Sequence, residues 1–147
     1  MPDWTADTNI WLRSSDPDEM FPAATGAVER ILETEEIYLL PQTVMEFWHV
    51  ATATGSQRGG FGWDVVKADL KVQQLEFDFP MKYDNAEVYA RWRGLVRIVG
   101  VSGAQVYDAR IVADMLAHNV THILTFNTDD FKRYASWGIT AINPNDV

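Results

Sequence analysis

The sequence contains no cysteine. Disulfide bonds, thiolate zinc sites, iron–sulfur clusters and cysteine nucleophiles are therefore all excluded. The absence of cysteine is also consistent with a reducing compartment, in which a protein gains nothing from disulfide bonds.

Long apolar runs are absent as well. No stretch of about 18 apolar residues is present, so the sequence predicts no membrane span. The acidic N-terminal residues 1–7 do not form a basic region followed by an apolar one. We therefore expect no secretory signal and a cytoplasmic protein.

Positive charge is scarce, because 12 Lys and Arg residues stand against 21 Asp and Glu residues, which gives a net charge of −9. This balance excludes a polycationic nucleic-acid binder. It does not exclude an enzyme that handles nucleic acid through bound metal, since metal-binding carboxylates add to the negative count. Residues 82–110, with five basic and three acidic side chains, could still present a cationic face to a polyanion.

The length and the apolar content favour one folded domain over residues 1–147. The chain has 147 residues, of which 47% are apolar, enough for a hydrophobic core. Helical and strand periodicities alternate along it. Predicted strands cover residues 4–7, 36–40, 75–79, 121–126 and 139–142. Predicted helices cover residues 16–34, 41–54, 63–74, 84–98, 105–118 and 130–138. This alternation predicts an α/β sandwich with a mainly parallel central sheet.

Ligands of such sheets bind beyond the carboxyl ends of the strands, and several acidic residues are predicted at that edge. Asp7 closes the first strand, Glu46 lies near the buried face of helix 41–54, and Asp108 lies one turn into helix 105–118. Asn127, Asp129 and Asp130 follow a buried strand. Each of these residues also has a purely structural explanation. Asp7 and one residue of the 127–130 turn could cap a helix, Glu46 could be solvated, and Asp108 could interact with the helix dipole.

Taken together, the acids indicate a metal site. Like-charged carboxylates raise one another's pKa, so they converge only where a cation stabilises them. Mg²⁺ or Mn²⁺ prefers such oxygen ligands and retains water. The usual chemistry of these ions is hydrolysis or transfer at phosphate.

Other catalytic signatures are missing. His49, His118 and His122 lack metal-ligand spacing and are interpreted as structural or surface residues. The sequence has neither a GxSxG nor a P-loop motif. The glycine-rich residues 55–62 are expected to form a flexible loop, with a role beside the active site left open. A receiver-like or phosphatase site would need a second acid beside the first and a lysine after the late strand, where Thr125-Phe126-Asn127 stands instead.

Several segments together resemble a known family. They are Ala6-Asp7-Thr8-Asn9, Pro41 with Glu46, Tyr107-Asp108-Ala109, and Ile123-Leu124-Thr125-Phe126-Asn127 followed by Asp130-Phe131. The chain resembles the PIN domain over essentially its whole length, and within it the VapC-like ribonuclease toxins of type II toxin–antitoxin systems.

The resemblance implies a three-layer α/β/α sandwich and a Mg²⁺- or Mn²⁺-dependent endoribonuclease. It assigns the three core acids to Asp7, Glu46 and Asp108. The fourth position falls to Asn127 or Asp130, with Asp129 as a substitute. On this hypothesis Asp7, Asp108 and the fourth residue position the metal, and Glu46 binds it or orients the attacking water. Asn9 contacts substrate or Asp7, and Thr125 holds the acidic turn.

The resemblance also implies an RNA substrate, an antitoxin protein partner and a homodimer. Arg93 and Arg97, which are four residues apart, are candidates for phosphate contact, together with Arg58, Arg91 and Arg110. Ion pairing on a solvated helix is the alternative for these side chains. Among the six tryptophans, Trp11 and Trp48 could cover a partner surface. The alternative function is a non-catalytic PIN-like module that binds RNA or protein.

Overall fold

The computed structural model describes residues 1–15, 21–54 and 59–147. The predicted helix start at residues 16–19 lies outside these ranges. So does the first half of the glycine-rich segment, residues 55–58, which includes Arg58.

A parallel sheet forms the centre of the fold. In the described ranges its strands, in the spatial order β2-β1-β3-β4, are β1 (Asp3–Ala6), β2 (Glu36–Tyr38), β3 (His122–Leu124) and β4 (Thr140–Ile142). Each neighbouring pair is parallel. The predicted α/β class with a mainly parallel sheet is confirmed.

Helices connect the strands. They are α1 (Thr8–Ser15), α2 (Phe21–Leu32), α3 (Pro41–Thr52), α4 (Val65–Asp78), α5 (Ala86–Leu95) and α6 (Gln105–Ala117). A π-helical turn, Val96–Gly100, extends α5, and 3₁₀ helices cover Thr128–Trp137 and Pro144–Asp146. Within the described ranges, no helix is both long and apolar enough to cross a membrane.

The side chains of the strands alternate between two hydrophobic clusters, one on each face of the sheet. Ala6 of β1 and Leu124 of β3 lie in the first cluster, with apolar side chains of α1 to α4. Ile123, next to Leu124, lies in the second, with those of α5, α6 and the Thr128–Trp137 helix. Helices therefore cover both faces, which confirms the three-layer α/β/α sandwich.

The strand predicted over residues 75–79 is wrong, because α4 continues through this segment to Asp78. Ala68, Val72, Leu75 and Phe79 are buried. Their spacings of four, three and four residues place them on one helical face. Phe77, which a strand would place beside Leu75 and Phe79, is 90% exposed. The alternation at 75–79 was thus the end of a longer helical pattern.

The prediction that Trp11 covers a partner surface is also wrong. Trp11 is only 2% exposed, and its ring packs on Phe79 with 4.8 Å between the ring centroids. The apolar face of α1 therefore turns inward against the end of α4. Trp48 is half-buried and packs against the first hydrophobic cluster.

Candidate active site

Asp7 lies directly beyond the carboxyl end of β1. Ala6 is in register with Leu124 of β3, and the Asp7 N–H continues the ladder by donating to the Leu124 carbonyl over 2.9 Å. The Asp7 Oδ1 accepts a hydrogen bond of 2.8 Å from the Thr8 N–H, where α1 begins. Strand pairing and the helix start therefore place this carboxylate at the strand edge predicted for ligands.

Thr125 and Asn9 hold the other oxygen of Asp7. The fully buried Thr125 donates its hydroxyl to Asp7 Oδ2 over 2.8 Å, and the Asn9 amide donates to the same oxygen over 3.3 Å. The Asn9 Oδ1 in turn accepts from the Phe126 N–H over 3.3 Å. The predicted contact of Asn9 with Asp7 is therefore present, and Asn9 also joins α1 to the segment after β3.

Glu46 reaches the site from the second turn of α3. Pro41 occupies the first turn, where its missing N–H is tolerated. The Gln42 amide donates to Glu46 Oε1 over 2.6 Å, and the Thr8 hydroxyl donates to Glu46 Oε2 over 3.5 Å. The Thr8 contact connects Glu46 to the start of α1, beside Asp7, and the Gln42 contact holds it within α3.

Electrostatic interactions link Asp7 and Asp108 to Glu46 and Asp130. Burial raises the pKa of Asp7 above its usual value; the hydrogen bonds from Thr125 and Thr8 oppose this rise, and the charges of Glu46 and Asp130 add to it. Burial likewise raises the pKa of Asp108 to about 6, with further contributions from Asp7, Asp130 and Glu46. The charges of Glu46 and Asp130 thus act on both Asp7 and Asp108, and the charge of Asp7 also acts on Asp108.

The three candidates for the fourth acid are all exposed but have different neighbours. Asp130 acts electrostatically on both Asp7 and Asp108. Asp129 instead forms an ion pair with Lys132, and its side chain is 83% exposed. The Asn127 N–H donates to Thr125 Oγ1 over 3.0 Å, which anchors the turn that carries Asp130.

The donor set is suited to a hard, hydrated cation. Among the described residues, no group of three or more His, Asp or Glu side chains is arranged so that it could hold a metal ion. Carboxylate oxygens dominate the site, and Mg²⁺ is characteristically held by one or two carboxylates while it keeps several waters. Burial is the main cause of the raised pKa values of Asp7 and Asp108, and the charges of neighbouring acids add to it; a bound cation would favour the ionised form of both carboxyl groups.

Two polar residues of the site were missed in the sequence. Gln42 contacts Glu46 directly, and the positive charge of Arg133 acts on Asp108. Their positions carried a usable signal, since Gln42 is one helical turn before Glu46 and Arg133 is one turn after Asp130. Arg133 is exposed, and it donates to Gln105 Oε1 over 3.2 Å.

The predicted arginine contacts have mixed outcomes. Arg91 forms an ion pair of 2.8 Å with Glu87 on α5, as in the alternative interpretation. Arg110 donates to Asp84 and Gln42, over 2.9 and 3.1 Å. Arg93 and Arg97 are exposed, on α5 and in the π-helical turn that follows it. Their contact with RNA stays a prediction.

The histidines lie in settings that need no metal. One ring nitrogen of His118 contacts the Asp114 carbonyl over 2.9 Å. His122 packs on Trp4 with 4.9 Å between the ring centroids. His49 is exposed on α3.

Solved structures share this fold. VapBC2 from Rickettsia felis bound to a promoter DNA fragment matches with a TM-score of 0.69 and 15% identity, over 96% of this chain and 98% of that chain. VapBC-1 from nontypeable Haemophilus influenzae matches with a TM-score of 0.67 and 15% identity, over 97% and 98%. The sarcin-ricin loop cleaving toxin VapC20 from Mycobacterium tuberculosis matches with a TM-score of 0.63 and 17% identity, over 93% and 96%.

A comparison with curated proteins finds no match. The family model of the PIN domain matches residues 5–136. This range contains all four acids of the site, the second half of β1, and the whole of β2 and β3. The fold, the placement of the acids and the family model agree, and the chain belongs to the PIN domain family.

Proposed function

We propose that residues 1–147 act as one nuclease domain, a divalent-metal-dependent endoribonuclease that hydrolyses RNA phosphodiester bonds. The observation that carries this proposal is the convergence of Asp7, Glu46, Asp108 and Asp130. Three of them influence the pKa of Asp108, which is raised to about 6. An acid-rich site at the carboxyl edge of a parallel sheet is suited to phosphate chemistry with a hard cation.

Asp7, Asp108 and Asp130 would hold Mg²⁺ or Mn²⁺, partly through water, with the Asn127 amide as a further oxygen donor. When bound, the ion neutralises charge on the scissile phosphate and makes water more acidic. Glu46 orients the attacking water. Thr125 and Asn9 keep the Asp7 carboxylate aimed into the site through their hydrogen bonds.

Cationic side chains near the acids would hold the RNA backbone. Arg133 is exposed and its charge reaches Asp108, so we assign it the phosphate next to the scissile bond. Arg93 and Arg97 are exposed at the end of α5 and would contact phosphates further away. The RNA thus reaches this acidic chain through metal and a few arginines rather than through bulk positive charge.

A cleavage assay tests this function. The purified protein is incubated with end-labelled single-stranded RNA, with and without Mn²⁺. Replacing Asp7→Asn or Asp108→Asn should reduce cleavage at least about 100-fold, because each substitution removes a metal-binding carboxylate. Asp69→Asn is the matched control, since Asp69 is exposed on α4, where its side chain accepts a hydrogen bond from Gln73. Full activity in both site variants would overturn the proposal.

Metal titration separates the enzyme from the non-catalytic alternative. A ligand that binds only the folded state raises thermal stability as its concentration rises. The enzyme should therefore gain melting temperature with Mn²⁺, and Asp108→Asn should remove most of the gain. A melting temperature that does not respond to Mn²⁺ would favour a PIN-like module that binds RNA or protein without cleaving it.

We further propose that the chain is a cytoplasmic, homodimeric toxin inhibited by an antitoxin protein. The support is the shared fold with VapBC2 and VapBC-1, which were solved as complexes. A small upstream reading frame that encodes a DNA-binding N-terminus is expected beside its gene. Co-expression of that product should restore growth in cells that produce the chain. It should not change the growth of cells that produce Asp7→Asn, because this variant should not be toxic.

A further inference from the structure

Gln42 touches the segments that carry two of the acids. Its side chain lies in the first turn of α3 and is only 7% exposed. The Nε2 amide group donates to Glu46 Oε1 over 2.6 Å and to the backbone carbonyl of Tyr107 over 2.9 Å. That carbonyl belongs to the peptide bond that leads into Asp108, so one amide joins Glu46 to the start of α6.

Arg110 determines which way this amide points. An amide has a donor end and an acceptor end of nearly the same shape, so its partners decide the orientation. The Glu46 carboxylate and the Tyr107 carbonyl only accept, whereas the Arg110 guanidinium only donates. Arg110 Nη1 lies 3.1 Å from Gln42 Oε1, and a single orientation of the amide satisfies all three partners.

Arg110 is itself held on its other side. Its Nη2 donates to Asp84 Oδ2 over 2.9 Å. Its Nη1 lies 3.9 Å from an oxygen of the buried Asp114. Two carboxylates thus restrain the guanidinium in the position from which it orients Gln42.

We propose that Gln42 is a positioning residue for Glu46 and that Arg110, held by Asp84, fixes the orientation of Gln42. This inference rests on the proposed nuclease function, in which Glu46 belongs to the catalytic machinery. It gives Arg110 a different role from the phosphate contact considered for it in the sequence. It also explains a polar, nearly buried glutamine at the junction of α3 and α6.

Kinetics of Gln42→Met, Arg110→Met and the double variant test the proposal. Methionine keeps the length of the glutamine side chain without its hydrogen bonds. Loss of a residue that orients a catalytic group typically costs about 10–100-fold in activity. Each single variant should therefore lower kcat by at least about 10-fold with KM changed less than about 3-fold. The double variant should be no slower than the slower single variant, because both substitutions break the same chain of contacts.

Gln73→Met is the matched control. Gln73 donates to Asp69 over 2.7 Å, one helical turn away on the exposed side of α4, and this variant should keep the wild-type kcat. A higher KM with unchanged kcat in Arg110→Met would overturn the proposal and return Arg110 to phosphate contact. Multiplicative losses in the double variant would overturn it as well, because they would show that Gln42 and Arg110 act independently.

The side-chain amide resonances of Gln42 give a readout that does not depend on activity. In the wild type, the two amide protons should show chemical shifts away from the free-amide position and slow exchange with water. Arg110→Met should move these resonances towards the free-amide position. This result does not depend on whether the wild type cleaves RNA. The measurement also remains possible if Gln42→Met does not fold, because Arg110→Met retains Gln42. Unchanged resonances in Arg110→Met would overturn the role of Arg110, whereas a wild type without cleavage would overturn only the proposed function.

Discussion

Asp7 and Thr125 occupy equivalent positions at the ends of two neighbouring parallel strands, and their side chains are joined by a hydrogen bond of 2.8 Å. Thr125 is fully buried, and its hydroxyl also accepts from the Asn127 N–H. One hydroxyl therefore links the first acid of the site to the turn that carries Asp130. The register of β1 and β3 is what brings them together.

Thr125→Val should damage the site without a large change in shape. Valine removes the hydroxyl, so Asp7 loses a hydrogen bond that lowers its pKa, and the Asn127 N–H loses its acceptor. We expect the free energy of unfolding to fall by about 1–3 kcal/mol, the usual cost of leaving buried polar groups without partners. Chemical denaturation measures it. Thr125→Ser, which keeps the hydroxyl, should lose less, and an equal loss in both would contradict this role.

Asp108→Asn should stabilise the metal-free protein above about pH 6. The pKa of Asp108 is raised from 3.8 to about 6 in the folded state, so the folded form binds its proton more tightly than the unfolded form does. The resulting destabilisation is absent well below pH 3.8, grows between pH 3.8 and 6 and is complete above that range. Melting curves in EDTA at pH 4 and pH 7.5 should show that the variant gains stability over the wild type only at the higher pH.

Asp130→Asn and Asp129→Asn should behave differently, although the two residues are adjacent. Asp130 acts on Asp7 and Asp108, whereas the exposed Asp129 pairs with Lys132. We expect Asp130→Asn to lower RNA cleavage at saturating Mn²⁺ by about 10-fold or more and Asp129→Asn to leave it within about 2-fold of the wild type. The reverse order would assign the fourth acid to Asp129.

Asp114→Asn should also raise stability near neutral pH. Asp114 is fully buried; among the described residues its carboxylate oxygens accept no hydrogen bond, and one of them lies 3.5 Å from His118 Nδ1. Burial, with the charge of Asp84, raises its pKa to about 6 against the opposing charges of Arg110 and His118. Between pH 3.8 and 6 the wild type loses stability as this group ionises, by at most about 3 kcal/mol. The gain of the variant over the wild type, followed by urea denaturation across this range, should grow with pH; a pH-independent difference would contradict the shift.

Two of the four candidate acids were predictable from the sequence, because the positions of strand ends are predictable. Asp7 directly follows a short apolar strand, and Asp130 follows another within a few residues. Parallel strands bring their carboxyl ends to one edge, so the pattern alone places both acids near each other. Glu46 and Asp108 lie inside helices, where an acid is ordinarily a surface residue. For these two the family resemblance, rather than periodicity, supplied the assignment.

Helical spacing indicates neighbours within one helix, but the contact of Gln42 with Arg110 and the effect of Arg133 on Asp108 were not predictable from it. Their partners, Arg110 and Asp108, come from distant parts of the chain, and a single sequence carries no record of such pairs. The strand predicted at residues 75–79 failed for a different reason. A segment of five residues with apolar side chains at alternate positions fits a strand, and it also fits a helix that exposes one of the three apolar residues.

Leu75→Ala and Phe77→Ala test whether residues 75–79 belong to a helix or to a strand. In a strand the two side chains would share a face and would be buried together, but in α4 Leu75 is 3% exposed and Phe77 is 90% exposed. Leu75→Ala should therefore lower the free energy of unfolding by about 2–4 kcal/mol, through lost burial and the cavity left behind. Phe77→Ala should change it by less than about 0.5 kcal/mol, as for other exposed positions. Comparable losses in the two variants, measured by urea denaturation, would mean that Phe77 is covered and that the helical assignment of this segment is wrong.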